Sequence, residues 1–327
     1  MYPISTSFWK KTIFTSTAWV GIMLLSGCTP NQAANQITLN IGYQKYGILP
    51  IVKERAVLEN ALRNQNVKIN WVEFPAGPQL LEGLNVGSVV FGEAGEAPPI
   101  FAQAAQANLV YVANQPAAPL AEALIVPKNS NLQSVQDLKG KRIALNKGSN
   151  VHYLLLKVLQ AHQFKLEDIH VVYLPPADAR AAFERGAVDA WVIWDPFFAA
   201  AEQQLGARIL ATGQNLVSNH QFYLADSQFS EAHPELLNTV VQQLNTTTQW
   251  IQQHPQQAAQ LLEKPTGLSV DILSRSIARM GFGVQNISAQ VVQQQQQVAD
   301  AFYQQKLIPQ KNDIQAAILK PTTSTSP

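Results

Sequence analysis

The 327-residue sequence has little cysteine, little charge and, after its N-terminal segment, no apolar run of transmembrane length. Cys28 is the single cysteine, so no disulfide can form within the chain and the fold must rest on apolar burial. Charged residues make up 14%, and the net charge is +1, which argues against a nucleic-acid partner because such a partner requires a concentrated basic face. No set of His, Cys or Glu residues has metal-ligand spacing, and we expect neither a metal nor a cofactor.

The N-terminus has the features of a targeting segment. A basic start precedes Thr12–Leu25, which is mostly apolar and too short to span a membrane comfortably, so we predict that residues 1–27 are a signal peptide. Leu25–Cys28 reads LSGC and resembles a bacterial lipobox, in which the cysteine becomes the lipidated first residue of the mature protein. That resemblance implies lipidation of Cys28, with residues 28–36 as anchor and linker. A chance cysteine after an ordinary signal or membrane anchor remains the alternative.

The body of the chain alternates between two kinds of segment. From Ile37 to about Leu210, short β-branched runs such as Val89–Phe91 and Arg142–Leu145 alternate with helical patterns, one of them opened by Pro50. This alternation predicts an α/β fold of mostly parallel sheets covered by helices. A shift of 99 residues places Gly87 on Gly186 and Glu96 on Asp195, which supports two lobes of like topology. After the strand-like Phe222–Leu224, the chain is mostly helical. We predict lobe 1 at 37–122 plus 220–310, lobe 2 at 123–219 and a C-terminal tail at 311–327.

The turn at Asn146–Asn150 connects a predicted strand to an apolar helix. The first N–H groups of such a helix have no partner within the helix, and their partial positive charge favours an anion. No Asp or Glu occurs in 146–157, so no acidic side chain of this segment fills the place. Asn150 is a candidate N-cap, Ser149 can donate its hydroxyl, and Gly148 allows close backbone approach.

Similar turns recur at other predicted strand ends. Because open parallel sheets bind ligands beyond the carboxyl ends of their strands, we expect these turns to border one crevice. The turns are Tyr43–Gly47, Pro75–Gln79, Gly92–Pro99, Asn146–Asn150, Pro175–Arg180 and Trp194–Pro196. Lys45, Lys147 and Arg180 are candidate counter-charges for an anion, and the Arg180 guanidinium suits two oxygens of one group.

Each of these residues also has a simpler interpretation. Gln44 and Lys45 could be solvated, and Arg180 could pair with Glu184 one helical turn away. Other candidates have structural alternatives: capping for Glu96 and Asp195, a core position for Trp194, and capping or packing for His152.

Six long motifs resemble the aliphatic sulfonate-binding proteins, which are solute receptors of ABC importers within the nitrate, sulfonate and taurine-binding group. They are GYQKYG (42–47), FPAGPQLLEGLNVGSV (74–89), FGEAGEAPPIFAQAA (91–105), LKGKRIALNKGSNVHYLL (138–155), YLPPADARAAFERGAVDAWVIWDP (173–196) and NHQFYLA (219–225). The resemblance implies a two-lobed periplasmic-binding-protein-like fold of type II that closes on its ligand in the interlobe cleft. It also implies docking on an ABC permease and its ATPase. We expect a periplasmic monomer that contacts the membrane only through its lipid anchor.

A sulfonate is a permanent monoanion, and neutral donors from several helix starts can satisfy its three oxygens. A cleft lined with carboxylates would contradict this interpretation. The candidate ligand-binding residues are Gln44, Lys45, Gly77, Pro78, Gln79, Glu96, Gly148, Ser149, Asn150, His152, Asp178, Arg180, Trp194 and Asp195.

Three other classes of function remain open at this point. Ser149 and His152 suggest an enzyme, but no G-x-S-x-G elbow is present, and we expect no catalytic residue. A receptor of the same fold for taurine, nitrate or a pyrimidine precursor is the second alternative. A non-binding adhesin or scaffold is the third.

Overall fold

The computed structural model describes residues 36–320. The predicted signal peptide, Cys28, nearly all of the linker and the end of the predicted tail lie outside the described residues. The strands are β1 Ile37–Tyr43, β2 Val67–Glu73, β3 Phe91–Gly95, β4 Leu109–Asn114, β5 Glu122–Val126, β6 Arg142–Leu145, β7 His170–Tyr173, β8 Ala190–Trp194, β9 Arg208–Thr212 and β10 Gln221–Asp226. The helices are α1 Ile48–Glu54, α2 Val57–Leu62, α3 Gly77–Asn85, α4 Pro98–Ala104, α5 Asn150–Ala161, α6 Pro176–Glu184, α7 Phe197–Leu205, α8 Ser227–Ala232, α9 Pro234–Gln253, α10 Pro255–Thr266, α11 Val270–Ile277 and α12 Ala289–Gln304.

The strands form two five-stranded sheets with the same layout. Sheet 1 has the order β2-β1-β3-β10-β4, and sheet 2 has the order β7-β6-β8-β5-β9. In sheet 1, β1 pairs in parallel with β2 and β3, while β10 is antiparallel to β3 and β4. Sheet 2 repeats this arrangement, with β5 as the reversed strand. The shared order agrees with the repeat seen in the sequence.

The chain crosses between the sheets twice, after β4 and again after β9. The two connecting segments, 115–121 and 213–220, touch each other. The Ala118 N–H donates to the Ser218 carbonyl at 3.0 Å, and the Asn219 side chain donates to the Ala118 carbonyl at 2.9 Å. The exact lobe boundaries stay a prediction, but these crossings explain why each sheet contains one reversed strand next to its centre.

Apolar layers cover both sheets. Leu39 and Ile41 of sheet 1 lie in one buried cluster with side chains of α1 and α9, whereas Leu124 and Val192 of sheet 2 lie in another with side chains of α5. The opposite face of sheet 2 is covered around Trp191, which is fully buried. Both sheets therefore follow the predicted α/β layering, with helices on either face.

Several element boundaries differ from the predictions. The third strand is Phe91–Gly95 and not Val89–Phe91, so most of the predicted turn at Gly92–Pro99 is strand. Gly and Glu disfavour strands, but β3 lies between β1 and β10, and this tertiary context overrides local preference. Helix α1 begins at Ile48, two residues before Pro50. The edge strand β9 was not predicted.

Part of the predicted tail packs against sheet 1. Ile314 is fully buried, Ile318 forms a bridge with Tyr111, and the Leu319 N–H donates to the Tyr111 carbonyl at 3.0 Å. Among the described helices, none has the length and hydrophobicity needed to cross a membrane.

Candidate ligand-binding site

A cavity of about 590 Å³ lies between the strand ends of the two sheets. Sheet 1 and its helices, the first half of the molecule, contribute residues from the ends of β1, β3 and β4 and from the start of α3. Sheet 2 and its helices, the second half, contribute residues from the starts of α5 and α6 and from the end of β8. Among the bordering residues are Gln44, Lys45, Gly77, Glu93, Gly95, Gln115, Ser149, Asn150, Pro176, Ala177, Arg180, Trp194, Asp195 and Asn219. Eight of the predicted ligand-binding residues are among them.

Helix α4 begins at the cavity with two prolines, which have no N–H to offer. Three other helices begin there with N–H groups that no side chain caps. They are α3 at Gly77, α5 at Asn150 and α6 at Pro176. The first N–H groups of a helix lack partners within the helix and carry partial positive charge, so a start without a cap favours an anion. Three such starts from both halves of the molecule border the same space, which makes an anionic ligand the best match to this cavity.

Other helix starts near the cavity are occupied by the chain's own oxygen atoms. The Ile48 N–H of α1 donates to Glu93 Oε2 at 3.3 Å, and the Ala199 N–H of α7 donates to Asp195 Oδ1 at 3.0 Å. These two carboxylates therefore serve the capping role that the sequence left open for Asp195.

Asn150 connects the two halves of the site. Its Oδ1 accepts a hydrogen bond from the Ala97 N–H at 3.1 Å, and its Nδ2 donates to Asn219 Oδ1 at 2.5 Å. Gly95 makes this contact possible, because a Cβ there would lie 2.2 Å from Asn150 Oδ1. The N-cap of α5 is Ser149 and not Asn150, and the Ser149 hydroxyl donates to the Asn146 carbonyl at 2.7 Å.

Two of the three predicted counter-charges, Lys45 and Arg180, border the cavity but also have acidic partners, whereas Lys147 is not among the bordering residues and its Nζ lies 5.6 Å from the centroid of the Tyr173 ring. Lys45 is exposed, with its Nζ 3.7 Å from Glu73 Oε1. Arg180 donates from Nε to Glu184 Oε1 at 2.7 Å and from Nη2 to Gln204 Oε1 at 2.7 Å. The surface pair that the sequence offered as the alternative for Arg180 is therefore present, on a side chain that still borders the cavity.

Three carboxyl groups border the cavity, and two of them have cationic partners. Glu73 faces Lys45, and Asp195 Oδ2 lies 3.4 Å from Arg279 Nη1. Burial raises the pKa of Asp195 to about 6, an effect that Arg279 opposes. Glu93 is the third, and it forms no ion pair within residues 36–320. Burial raises the pKa of Glu93 to about 7.

Trp194 gives the cavity an aromatic wall. It is half-buried and packs edge-on against Phe197, with ring centroids 6.5 Å apart. Trp191 lies three residues earlier on the same strand and is fully buried in the core. An odd spacing along a strand places the two indoles on opposite faces, so only one of them borders the cavity.

Two predicted residues lie behind the start of α5. The Gly148 N–H donates to His152 Nδ1 at 3.3 Å, and His152 is fully buried against Tyr173 and Phe302. Burial and the nearby Lys147 lower the pKa of His152 to about 4, so its ring is neutral at physiological pH. Ser149 and His152 therefore bond to different partners and do not form a nucleophile–base pair.

The remaining predicted residues are not among those that border the cavity. Glu96 is buried and accepts a hydrogen bond from the His220 N–H at 3.1 Å, while burial raises the pKa of Glu96 to about 7. Pro78 and Gln79 lie in the first turn of α3 and are half-buried, and Asp178 lies exposed in the first turn of α6. Ligand roles for these residues stay predictions.

Sequence reasoning missed Glu93, Gln115, Asn219 and Arg279. Glu93 gave no clear signal, because Gly92 and Gly95 weaken the strand pattern around it and favour a turn. The others reach the site from distant parts of the chain. In the described part of the chain, no group of three His, Cys, Asp or Glu side chains is arranged to hold a metal ion.

Residues 62–258 match the protein family described as NMT1/THI5 like. Over 307 residues, the chain is 42% identical to an aliphatic sulfonates-binding protein of Escherichia coli (strain K12), covering 93% of this chain and 96% of that relative. This chain belongs to the aliphatic sulfonate-binding protein family. A solved structure of the alkanesulfonate-binding protein SsuA from Xanthomonas axonopodis pv. citri, bound to MOPS, matches this family member with a TM-score of 0.84 and 43% identity, over 88% of this chain and 99% of that one.

The fold of this family member is the α/β periplasmic-binding-protein-like fold, as predicted. The periplasmic aliphatic sulphonate binding protein SsuA of Escherichia coli matches with a TM-score of 0.80 and 43% identity, over 87% of this chain and 92% of that one. The desulfurization enzyme DSZB matches with a TM-score of 0.64 at 16% identity, which shows a shared fold alone.

Proposed function

We propose that this protein is an extracytoplasmic receptor that captures aliphatic sulfonates and delivers them to an ABC importer. The single observation that carries the proposal is the meeting of three uncapped helix starts, α3, α5 and α6, at one cavity. A sulfonate has three oxygens and one permanent charge, which these N–H groups can satisfy without a full counter-ion. Hydrogen bonds to a charged group contribute roughly 1.5–3 kcal/mol each, so four or five support micromolar or tighter binding.

The rest of the cavity suits the organic part of such a ligand. Trp194, Phe74 and Phe197 supply apolar surface on its border. Because residues from both halves of the molecule border the cavity, a ligand that contacts both halves favours their closed arrangement by that difference in contacts. The names of relatives support the same class of ligand. One relative is named as an aliphatic sulfonates-binding protein, and a taurine-binding periplasmic protein is 28% identical over 179 residues.

The proposal includes binding without catalysis. Ser149 donates to the Asn146 carbonyl and His152 accepts from the Gly148 N–H, so neither activates the other. After incubation with 1-propanesulfonate, mass spectrometry is expected to return the ligand unchanged, and any product would contradict the receptor function.

The binding test is isothermal titration calorimetry with 1-propanesulfonate, with 1-propanol as the uncharged ligand of matched length. Sulfonate buffers must be avoided, because a related protein was solved bound to MOPS. We expect 1:1 binding of the sulfonate and no heat with the alcohol. In a separate unfolding experiment, the sulfonate at a hundredfold excess over Kd should raise the free energy of unfolding by about 2.7 kcal/mol.

Variants sharpen the binding test. Arg180→Gln should weaken sulfonate binding several-fold, because Arg180 borders the cavity. Arg185→Gln, on an exposed arginine at the end of the same helix, is the matched control and should leave Kd unchanged. Absence of binding by 1-propanesulfonate and by its 3-amino analogue would overturn the proposal.

We also propose that the mature protein is a periplasmic monomer tethered through a lipid on Cys28. The support is the lipobox-like LSGC sequence that ends at the chain's single cysteine. Cys28→Ser is expected to move the protein from the membrane fraction to the soluble fraction with no change in Kd. If this variant still sediments with membranes, the lipid anchor is wrong.

A further inference from the structure

Glu93 is a buried acid at the edge of the anion-binding cavity. It is the third residue of β3, between β1 and β10 in sheet 1, and it is 7% exposed. Glu93 borders the same cavity as the three uncapped helix starts. An ionisable carboxyl therefore belongs to the wall of a cavity that also offers hydrogen-bond donors to an anion.

All the hydrogen-bond partners of the Glu93 carboxyl are uncharged. Oε2 accepts from the Ile48 N–H at 3.3 Å, and Oε1 accepts from Gln115 Nε2 at 3.0 Å. Gln115 is held in turn by the Tyr223 hydroxyl, 2.8 Å from its Nε2. Gly47 packs directly on the carboxyl, since a Cβ there would lie 3.0 Å from Glu93 Oε1. The group is thus fixed in place by neighbouring backbone and amide groups.

No positive charge of the described chain balances Glu93. No Lys, Arg or His of residues 36–320 forms an ion pair with it. The titratable groups beside it are the phenols of Tyr46 and Tyr223, and burial raises the pKa of both, which keeps them neutral. The N–H groups at the start of α1 offer Glu93 only partial positive charge, so its ionised carboxyl has no full counter-charge within residues 36–320.

The other carboxyl groups of the cavity differ in this respect. Glu73 has Lys45 at 3.7 Å, and Asp195 has Arg279 at 3.4 Å. Lys45 and Arg180, the cations that border the cavity, contact Glu73 and Glu184. The wall therefore provides anion-binding helix starts and, at Glu93, one site for a cation.

We propose that Glu93 is a specificity residue that selects zwitterionic aminosulfonates, with the ligand ammonium pairing with the Glu93 carboxylate while the sulfonate lies at the helix starts. This inference rests on the proposed function and narrows its substrate class. A plain alkanesulfonate must instead bind with Glu93 protonated or leave the charge unpaired. An aminosulfonate avoids both, and its two charges match the two kinds of group on the cavity wall.

Three ligands of matched length test the inference by calorimetry at pH 8 in a buffer without sulfonate. They are 3-aminopropanesulfonate, 3-hydroxypropanesulfonate and 1-propanesulfonate. The wild-type protein is expected to bind the amino ligand about tenfold more tightly than the other two, because close charge pairs in a desolvated site contribute strongly. The hydroxy ligand separates charge pairing from simple hydrogen bonding.

Two glutamine variants locate the effect. Glu93→Gln should reduce the amino-to-propane affinity ratio to about 1. Glu122→Gln is the matched control, because Glu122 is another fully buried carboxyl that does not border the cavity, and it should keep the wild-type ratio. Thermal unfolding of each variant checks that the fold is intact.

The outcomes separate this inference from the proposed function. If wild-type protein binds all three sulfonates with equal affinity, the inference is overturned while the proposed function stands. If Glu73→Gln removes the preference and Glu93→Gln keeps it, the inference is also overturned. If none of the sulfonates binds, the proposed function itself fails.

Discussion

Two of the contacts between the sheet 1 unit and the sheet 2 unit of the described chain differ in chemistry. In the first, called here the apolar seam, Tyr153 and Leu156 of α5 lie in one buried cluster with Phe302 of α12. In the second, called the ionic clasp, Asp195 and Glu202, at the end of β8 and on α7, meet Arg275 and Arg279 at α11. The seam depends on apolar burial, whereas the clasp depends on partly buried charges.

This difference indicates which contact is permanent and which is conditional. Burial of aromatic and aliphatic side chains is insensitive to pH and salt over the physiological range. Ion pairs respond to both, and their net contribution depends on whether each charge keeps its partner. We therefore expect the seam to hold the halves together throughout a binding cycle and the clasp to respond to conditions and to the ligand, since Asp195 also borders the cavity.

Breaking the seam should have the largest effect on stability. Phe302 is fully buried, with ring contacts to Phe101 at 4.8 Å, His152 at 5.6 Å and Tyr153 at 6.0 Å between centroids. Phe302→Ala leaves a cavity and should lower the free energy of unfolding by about 3–5 kcal/mol, measured by urea denaturation. The matched control is Tyr303→Ala on the same helix, where the side chain is 37% exposed and the expected loss is below about 1 kcal/mol. If both variants lowered the free energy of unfolding equally, the stabilising role of the apolar seam would be contradicted.

Breaking the clasp should have a smaller effect that depends on pH. Arg279 bonds to Asp195 and Glu202 and stacks on the Phe198 ring, with 4.1 Å between its guanidinium carbon and the ring centroid. Arg279→Gln leaves two partly or fully buried carboxylates without this partner and should lower the free energy of unfolding by about 1–3 kcal/mol at pH 8. Arg275→Gln is the control: its pair with Glu202 is half exposed on the arginine side and should contribute about 0–1 kcal/mol.

The pH dependence distinguishes the clasp from the seam. Burial raises the pKa of Asp195 to about 6 in the folded protein, above its ordinary value of 3.8, so its contribution to stability declines as pH rises from about 4 to 6. Without Arg279 the pKa of Asp195 rises further. At pH 5 Asp195 is protonated and gains little from Arg279, so Arg279→Gln should lower the free energy of unfolding less at pH 5 than at pH 8. The loss caused by Phe302→Ala should be the same at both pH values, because His152, whose pKa is about 4, stays neutral throughout. A clasp variant with a pH-independent loss would contradict the ionic account.

Local signals were sufficient to predict the elements that carry the helix starts. Strand β6 was predicted with its observed boundaries, and the helices after it and before it were placed within a few residues, because apolar periodicity and Gly or Pro punctuation are local properties. Strand alternation predicts that Trp191 and Trp194 point to opposite faces, and the position of Trp194 nearer the strand end favours it as the residue at the crevice.

Long-range features of the site were beyond such signals. Arg279 reaches Asp195 from 84 residues further along the chain, and no periodicity connects α7 with α11. Glu93 was read as part of a turn because glycine and glutamate weaken a strand pattern, whereas β1 and β10 on either side make it the buried centre of a sheet. The predicted N-cap of α5, Asn150, lies one residue after the observed N-cap, because its side chain accepts a hydrogen bond from the Ala97 N–H instead. These differences come from contacts between elements.

The position of β10 has a consequence for the order in which the molecule can assemble. Sheet 2 is built from one continuous stretch, Glu122–Thr212, but sheet 1 requires Gln221–Asp226 to enter between β3 and β4. Sheet 1 therefore cannot be completed until every strand of sheet 2 has already been synthesised. In order of synthesis, the sheet that begins first is the one that is completed last.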